Sequence, residues 1–287
     1  PFANIAHGCN SILATKTALK FADYVITEAG FGADLGAEKF LNIKCRKAGL
    51  KPKAAVVVAT VKALKLHGDI EEKDLKEENL EALAKGVQNL EKHIENLHKF
   101  NLPIVVALNV FVTDTEKELA FLENWAKEQG VEFSRTEVWE KGGLGGVDLA
   151  EKVVKAVEEN DKELQLLYKD EASITEKIET VCREIYGADG VNFADEVKAE
   201  IERIERLGFK NLPVCMAKTP ASLTDNAKIK GRPTGFNITI NDVKLRSGAG
   251  FVVAYANKVL TMPGLPKVPS ALNIDIDEET ETIVGIF

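Results

Sequence analysis

The chain has 287 residues, 45% of them hydrophobic and 29% charged, which is typical of globular proteins that bury a core without disulfides. Its formal net charge of −8 argues against nucleic-acid binding as its main function, since phosphate backbones require a basic face. No apolar run approaches the ~20 residues that span a bilayer. The four scattered cysteines, without a Cys-x-x-Cys pair, fit a reducing cytoplasm.

Strand-like and helix-like segments alternate through the first 160 residues. The sequence begins with Pro1 rather than methionine, and we interpret it as the later part of a longer polypeptide. The predicted elements are a helix over 11–21, strand 24–27, helix 36–48, buried strand 54–59, a charged surface excursion over 69–80, helix 80–99, strand 103–111, helix 116–129, strand 132–138 and a helix from 148. Thr115 is the predicted N-cap of the 116–129 helix, and Gly130 follows its end. This order predicts an α/β fold with a doubly wound, mostly parallel sheet.

The pattern changes after about residue 160. Helices are predicted near 174–185 and 193–207, a strand over 212–217, an alternating segment over 236–240 and a glycine-rich turn over 246–250. We therefore expect a smaller α/β C-terminal domain.

A glycine-rich turn joins the predicted strand 24–27 to the following helix. Backbone N–H groups at such a turn can hold an anion, and Gly30 and Gly32 would let a ligand approach closely. Glu28 and Asp34 add carboxylates, which favours a phosphate handled together with a cation or an amine. The alternative is a structural turn whose glycines supply positive φ angles.

Two aromatic residues, Phe111 and Trp139, follow the carboxyl ends of predicted strands. Rings facing each other at the ligand-binding edge of a sheet would form a slot for a flat heterocycle. The alternative is that each ring caps the core. Trp125 lies within an amphipathic helix and is predicted to pack internally.

Other motifs are weaker. The glycines of 142–146 either hold an anion or let Trp139 swing, and Lys141 and Lys218 are candidate anion partners, although single lysines are usually solvated. The loop Gly231-Arg232-Pro233 and the segment 262–266 could each wall a pocket for a base.

No metal site is predicted. His7 and Cys9 lack further ligands at suitable spacing, and His93 and His98 are five residues apart on a helix. The sequence also contains no Gly-x-x-x-x-Gly-Lys-[Ser/Thr] phosphate-binding loop.

Several segments together resemble the formate–tetrahydrofolate ligase family along the whole chain. They are residues 2–11 (FANIAHGCNS), 27–36 (TEAGFGADLG), 113–116 (TDTE), 139–143 (WEKGG), 186–188 (YGA) and 261–266 (TMPGLP). The chain resembles the C-terminal half of that enzyme, so the resemblance implies a P-loop NTPase-like core that lacks its P-loop half. It implies domains over 1–92 (nucleotide-binding core), 93–202 (folate-binding) and 203–287 (small C-terminal).

The resemblance implies ATP-dependent ligation of formate to tetrahydrofolate in one-carbon metabolism, through formyl phosphate, giving 10-formyltetrahydrofolate, ADP and phosphate. It implies ATP, Mg²⁺ and a monovalent cation (K⁺ or NH₄⁺) as cofactors, a cytoplasmic homotetramer, and the N-terminal P-loop half as partner.

The implied site residues fall into three groups. They are Glu28, Gly30, Phe31 and Gly32 at the formyl phosphate; Phe111 and Trp139 at the folate; and Gly231, Arg232 and Pro233 at the nucleotide. The alternatives are a folate-binding module without catalytic activity of its own, or a subunit that needs a separate P-loop chain.

Overall fold

The structure is a computed structural model that describes residues 7, 8, 10–257, 266–277, 279, 280 and 282–285. The α-helices are α1 (Ile12–Phe21), α2 (Arg46–Ala48), α3 (Val61–His67), α4 (Leu80–His98), α5 (Glu116–Gln129), α6 (Val138–Lys141), α7 (Val147–Glu159), α8 (Ile174–Val181) and α9 (Asp195–Ile204). π-helical segments span Ala33–Ala37, Phe40–Cys45, Cys182–Tyr186 and Glu205–Phe209, and 3₁₀ turns span Glu72–Asp74, Gly142–Gly146 and Ser270–Leu272. The strands are β1 (Ala55–Ala59), β2 (Ile104–Asn109), β3 (Glu132–Thr136), β4 (Gly190–Phe193), β5 (Val214–Ala217), β6 (Asn237–Arg246), β7 (Phe251–Ala256), β8 (Asp275–Ile276) and β9 (Ile283–Val284).

The first sheet is parallel, with strand order β1-β2-β3 among the described residues. Helices α4 and α5 pack against it, and α7 packs against β2 and β3. The central strand β2 is buried along nearly its whole length, as expected for a strand covered on both faces. The predicted α/β class and parallel sheet are confirmed for this part of the chain.

The second sheet is mixed, with order β4-β6-β7-β5. Strands β4 and β6 are parallel, as are β5 and β7, but β6 and β7 form an antiparallel pair. The sequence prediction missed β4 and β7 as strands. The glycine-rich segment 246–250 forms the turn between β6 and β7, as predicted.

Residues 24–27, predicted as a strand, are not one among the described residues. Tyr24 is half-exposed and its hydroxyl donates to Glu158 at 3.0 Å, while Ile26 is 91% exposed. High β propensity does not make a strand without a hydrogen-bonding neighbour, because most of its stabilisation comes from cross-strand packing.

The local signals around α5 are confirmed. Thr115 accepts from the Glu118 amide, the Glu118 side chain accepts from the Thr115 amide, and Gly130 ends the helix with φ of 65°.

The main hydrophobic core is contiguous from α4 and the first sheet to α8, α9 and the second sheet. Helix α4 continues unbroken across the predicted 92/93 boundary, and α9 across 202/203. The three-domain division stays a prediction. No helix in the described part of the chain is long and apolar enough to cross a lipid bilayer.

Candidate functional site

Two aromatic side chains emerge from neighbouring strand ends of the first sheet. Asn109 and Thr136 are register partners at the last positions of β2 and β3, and the chains continue together as the Val110 amide donates to the Thr136 carbonyl at 3.0 Å. Phe111 lies two residues beyond β2, and Trp139 lies three residues beyond β3, in α6. The sheet therefore brings both residues to its carboxyl edge, where parallel α/β sheets bind ligands.

Neither ring belongs to the core, so the alternative that each caps the core does not hold. Trp139 is 78% exposed and Phe111 39% exposed, whereas Trp125 packs against the core from α5. The Phe111 amide donates to Asp114 Oδ2 at 2.9 Å, which holds the turn after β2. Lys62 Nζ, just beyond the end of β1, lies 5.0 Å from the centroid of the Phe111 ring, within cation–π range.

The glycines after Trp139 shape a compact turn. Gly142 has φ of 58°, and a Cβ on Gly145 would lie 2.4 Å from the Glu137 carbonyl oxygen. The Lys141 ammonium is paired with Glu137 at 2.6 Å and is therefore not an unpartnered anion ligand.

The predicted glycine turn is tightly packed, and its glycines are required for close backbone contact rather than for positive φ angles. None of Gly30, Gly32 and Gly36 has a positive φ; Phe31 has one, at 61°. A Cβ on Gly36 would lie 2.1 Å from the Gly30 carbonyl oxygen. The glycines thus serve close backbone approach, and the strained residue is the half-exposed Phe31.

A buried ion pair lies directly behind this turn. Lys218 Nζ donates to Asp34 Oδ2 at 2.8 Å, and both side chains are almost completely buried. Lys218, a candidate anion partner in the sequence, is therefore not solvated, and its anionic partner is the Asp34 carboxylate of the protein itself. Burial would raise the pKa of the Asp34 carboxyl, but the Lys218 ammonium, with His93, holds it below its usual value.

His93 of α4 completes the back of the turn. A Cβ on Gly32 would lie 3.1 Å from its Cε1, and its Nδ1 is 4.0 Å from Asp34 Oδ1. Burial lowers the pKa of His93. Glu28, at the front of the turn, is exposed and has no hydrogen-bond or ion-pair partner within the described residues.

The loop Gly231-Arg232-Pro233 is held by α3 and α4. Gly231, with φ of 71°, donates its N–H to His67 Nδ1 at 3.1 Å and accepts from Asn89 Nδ2 at 2.8 Å. Burial, with the nearby His93 and Lys230, lowers the pKa of His67 to about 4, so its Nδ1 stays an acceptor at neutral pH.

Arg232 anchors this loop. Its guanidinium lies 2.8 Å from Glu95 and 3.3 Å from Glu91, so its charge is already compensated. Because Asn89 and His93 are four residues apart on α4, about one helical turn, the loop and the glycine turn contact neighbouring positions on one face of this helix.

Sequence reasoning assigned no role to Asn89, His67 or Lys62. The i, i+4 spacing of Asn89 and His93, which places two polar side chains on one face of an amphipathic helix, was an available signal for Asn89. Nothing local signalled His67 or Lys62, whose partners are 164 and 49 residues away in the chain.

Other features lie elsewhere. A cleft of about 460 Å³ opens at the opposite edge of the first sheet, near Pro103 and Lys155. Among the described residues, no group of His, Cys, Asp or Glu is arranged to hold a metal ion. The predicted motif segments 2–6 and 261–265, and Cys9, lie outside the described residues.

A comparison with protein families identifies the chain. The family model described as formate–tetrahydrofolate ligase matches residues 1–287, and the chain belongs to this family. The family comprises ATP-dependent ligases that join formate and tetrahydrofolate in one-carbon metabolism.

Proposed function

We propose that this member of the formate–tetrahydrofolate ligase family supplies the folate slot and part of the formyl-phosphate site of the ligase reaction. In that reaction ATP and formate give formyl phosphate and ADP, and the formyl group then passes to tetrahydrofolate, releasing phosphate and 10-formyltetrahydrofolate. The single observation that carries the proposal is the exposed aromatic pair, Phe111 and Trp139, at adjacent strand ends.

In this proposal Phe111 and Trp139 stack against the pterin ring of the folate. Two exposed rings on neighbouring strand ends suit a flat heterocycle, and each offset stack contributes about 0.5–1.5 kcal/mol beyond burial. Lys62 adds a positive charge beside Phe111; it forms no ion pair within the described residues, although the Asp114 carboxyl lies close enough to feel its charge. A cation there complements the carboxylates of a folate.

The turn formed by Glu28, Gly30, Phe31 and Gly32 receives the formyl phosphate. Its backbone approaches closely enough to exclude side chains, which favours N–H contacts to an anion. Phe31, held at positive φ and half-exposed, covers the turn and helps exclude water from a reactive acyl phosphate.

The loop Gly231-Arg232-Pro233 lines the nucleotide base. Arg232 acts as an anchor to Glu91 and Glu95 rather than as a phosphate ligand, because both carboxylates already compensate its charge. The loop rests on the same α4 face as the glycine turn, which supports a nucleotide and an acyl phosphate bound side by side.

The cofactors ATP, Mg²⁺ and K⁺ or NH₄⁺ belong to the proposed reaction. Among the described residues no three His, Cys, Asp or Glu side chains cluster as metal ligands, and near the glycine turn Asp34 is paired with Lys218. We therefore assign no step of this chain's residues to a metal.

A separate segment bearing the phosphate-binding loop completes the enzyme. Val56 and Val58 of the edge strand β1 are exposed, as is the extended segment at Ile26. An unpaired parallel edge with exposed valines suits a further strand and helix of the same sheet. On this proposal the chain divides at 1–92, 93–202 and 203–287, and the complete enzyme is a cytoplasmic homotetramer.

The alternative is a folate-binding module that catalyses nothing on its own. The absence of a Gly-x-x-x-x-Gly-Lys-[Ser/Thr] loop from the sequence favours it for the chain in isolation.

One assay separates these functions. Formate- and folate-dependent ADP release is measured with the chain alone and then with the P-loop half added, and folate affinity is measured by calorimetry. We expect folate binding by the chain alone and ADP release only after addition. Absence of folate binding would refute the proposed function.

A further inference from the structure

Lys218 is a fully buried lysine whose donors are all directed at fixed acceptors. Its ammonium donates to Asp34 Oδ2 at 2.8 Å, to the Thr219 carbonyl at 3.1 Å and to the Ser222 carbonyl. The ring of Tyr186 lies 4.8 Å from the same nitrogen. A buried ammonium held by three acceptors has essentially one orientation, so it fixes the segments that supply them.

Those segments belong to two different parts of the proposed site. Asp34 lies two residues after Gly32 of the glycine turn. Thr219 and Ser222 begin the loop that continues to Gly231. The ammonium therefore ties the turn to the start of the nucleotide loop, and α4 supports their other sides through His93 and Asn89.

Stability alone does not explain this pair. Replacing a buried ion pair by apolar side chains of similar volume is often neutral or stabilising, whereas removing one partner leaves an uncompensated charge. What apolar groups cannot reproduce is the direction of three hydrogen bonds across two segments. The pair is thus better suited to holding a geometry than to adding stability.

We propose that Asp34 and Lys218 are positioning residues that set the separation between the glycine turn and the loop ending at Gly231, and hence between acyl group and nucleotide. This inference rests on the proposed function for its catalytic consequence. Phosphoryl transfer requires reacting atoms about 3–3.5 Å apart, so a shift of ~1 Å between the two segments would cost roughly 100-fold in rate.

The test uses the double variant Asp34→Leu/Lys218→Met, which removes both charges together. Lys177→Met is the matched control, because Lys177 is also fully buried and held by the carbonyls of Asp170, Lys210 and Leu212, away from the site. Lys218→Arg tests whether charge without the same geometry suffices.

The activity measurement is made with the P-loop half present. We expect the double variant to keep its folding cooperativity and folate affinity while kcat falls roughly 100-fold. We expect wild-type kcat in Lys177→Met and a partial loss in Lys218→Arg. A double variant with wild-type kcat would overturn the inference, as would a kcat loss of the same size in Lys177→Met.

A second measurement does not need catalysis. Hydrogen–deuterium exchange of the chain is followed at residues 30–37 and 219–233. We expect both segments to exchange faster, together, in the double variant, and to stay protected in Lys177→Met. Unchanged exchange in either segment would refute the link. If wild-type protein binds no folate, the proposed function fails while this exchange result still decides whether the pair couples the two segments.

Discussion

Replacing Trp139 by alanine separates a ligand-binding ring from a structural one. Because Trp139 is 78% exposed, only about a fifth of its surface is buried against the rest of the protein, and only this contact area is lost on truncation. For a residue of ~250 Å² that is roughly 50 Å², or about 1 kcal/mol at ~25 cal/mol per Å². A core tryptophan would cost about 3–5 kcal/mol.

The effect on folate binding is expected to be larger. Stacking of a base on an aromatic ring contributes about 1–3 kcal/mol, so tetrahydrofolate affinity should fall roughly 5- to 150-fold. Calorimetric titration measures this change, and thermal melting followed by circular dichroism measures stability.

Trp125 supplies the matched control. Trp125→Ala should lower the melting temperature and leave folate affinity unchanged, since its ring packs against the core. Trp125→Phe leaves Trp139 as the only tryptophan of the chain, so folate should quench the remaining fluorescence. A large loss of melting temperature with unchanged folate affinity in Trp139→Ala would refute the assignment of this ring to the slot.

Three further perturbations test the turn, the histidine and the open sheet edge. Gly36→Ala should abolish formate-dependent ADP release in the presence of the P-loop half, because the new Cβ would lie 2.1 Å from the Gly30 carbonyl oxygen. Gly248→Ala is the control and should be neutral, because the space around its Cβ is open. Equal activities of the two variants would contradict the packing argument. Folding lowers the pKa of His67 from 6.5 to about 4, so between these pH values the unfolded chain binds more protons than the folded chain. The contribution of His67 to folding stability is therefore complete above pH 6.5 and decreases as the pH falls towards 4. NMR titration of the folded protein should show His67 neutral at pH 6. A midpoint near the ordinary value of 6.5 would show that burial does not lower the pKa of His67. Val58→Lys should leave the melting temperature of the chain nearly unchanged, since Val58 is 67% exposed, but should reduce binding of the P-loop half in a pull-down assay; unaltered binding would argue against docking on β1.

Local signals in the sequence predicted local structure well. The capping box at Thr115 and Glu118 and the glycine stop at Gly130 depend only on neighbouring residues, and each is found as expected. The emergence of Phe111 and Trp139 at adjacent strand ends also followed from strand order alone.

Properties that depend on distant partners were not predictable. Residues 24–27 have strand-like composition, but no described strand pairs with them. The apolar run at β7 resembles that of the predicted strand 54–59 and was a missed local signal, but its pairing with β5 and β6 is not encoded locally. Lys218 was a candidate anion partner, but the sequence could not show that its partner is Asp34, 184 residues earlier, or that the ammonium is buried there.

Helix α4 is clamped on a second side as well. Lys92 donates to the Glu184 carbonyl at 3.0 Å, and Asn96, 1% exposed, donates to the Ile185 carbonyl at 2.8 Å. These bonds join the helix beneath the first sheet to the helical segment that leads into the second. A hinge between the two sheets would have to leave such buried groups unpaired, which is costly. We therefore expect the two sheets to move as one body, so that any opening of the proposed site is left to surface segments such as α6, which bears Trp139.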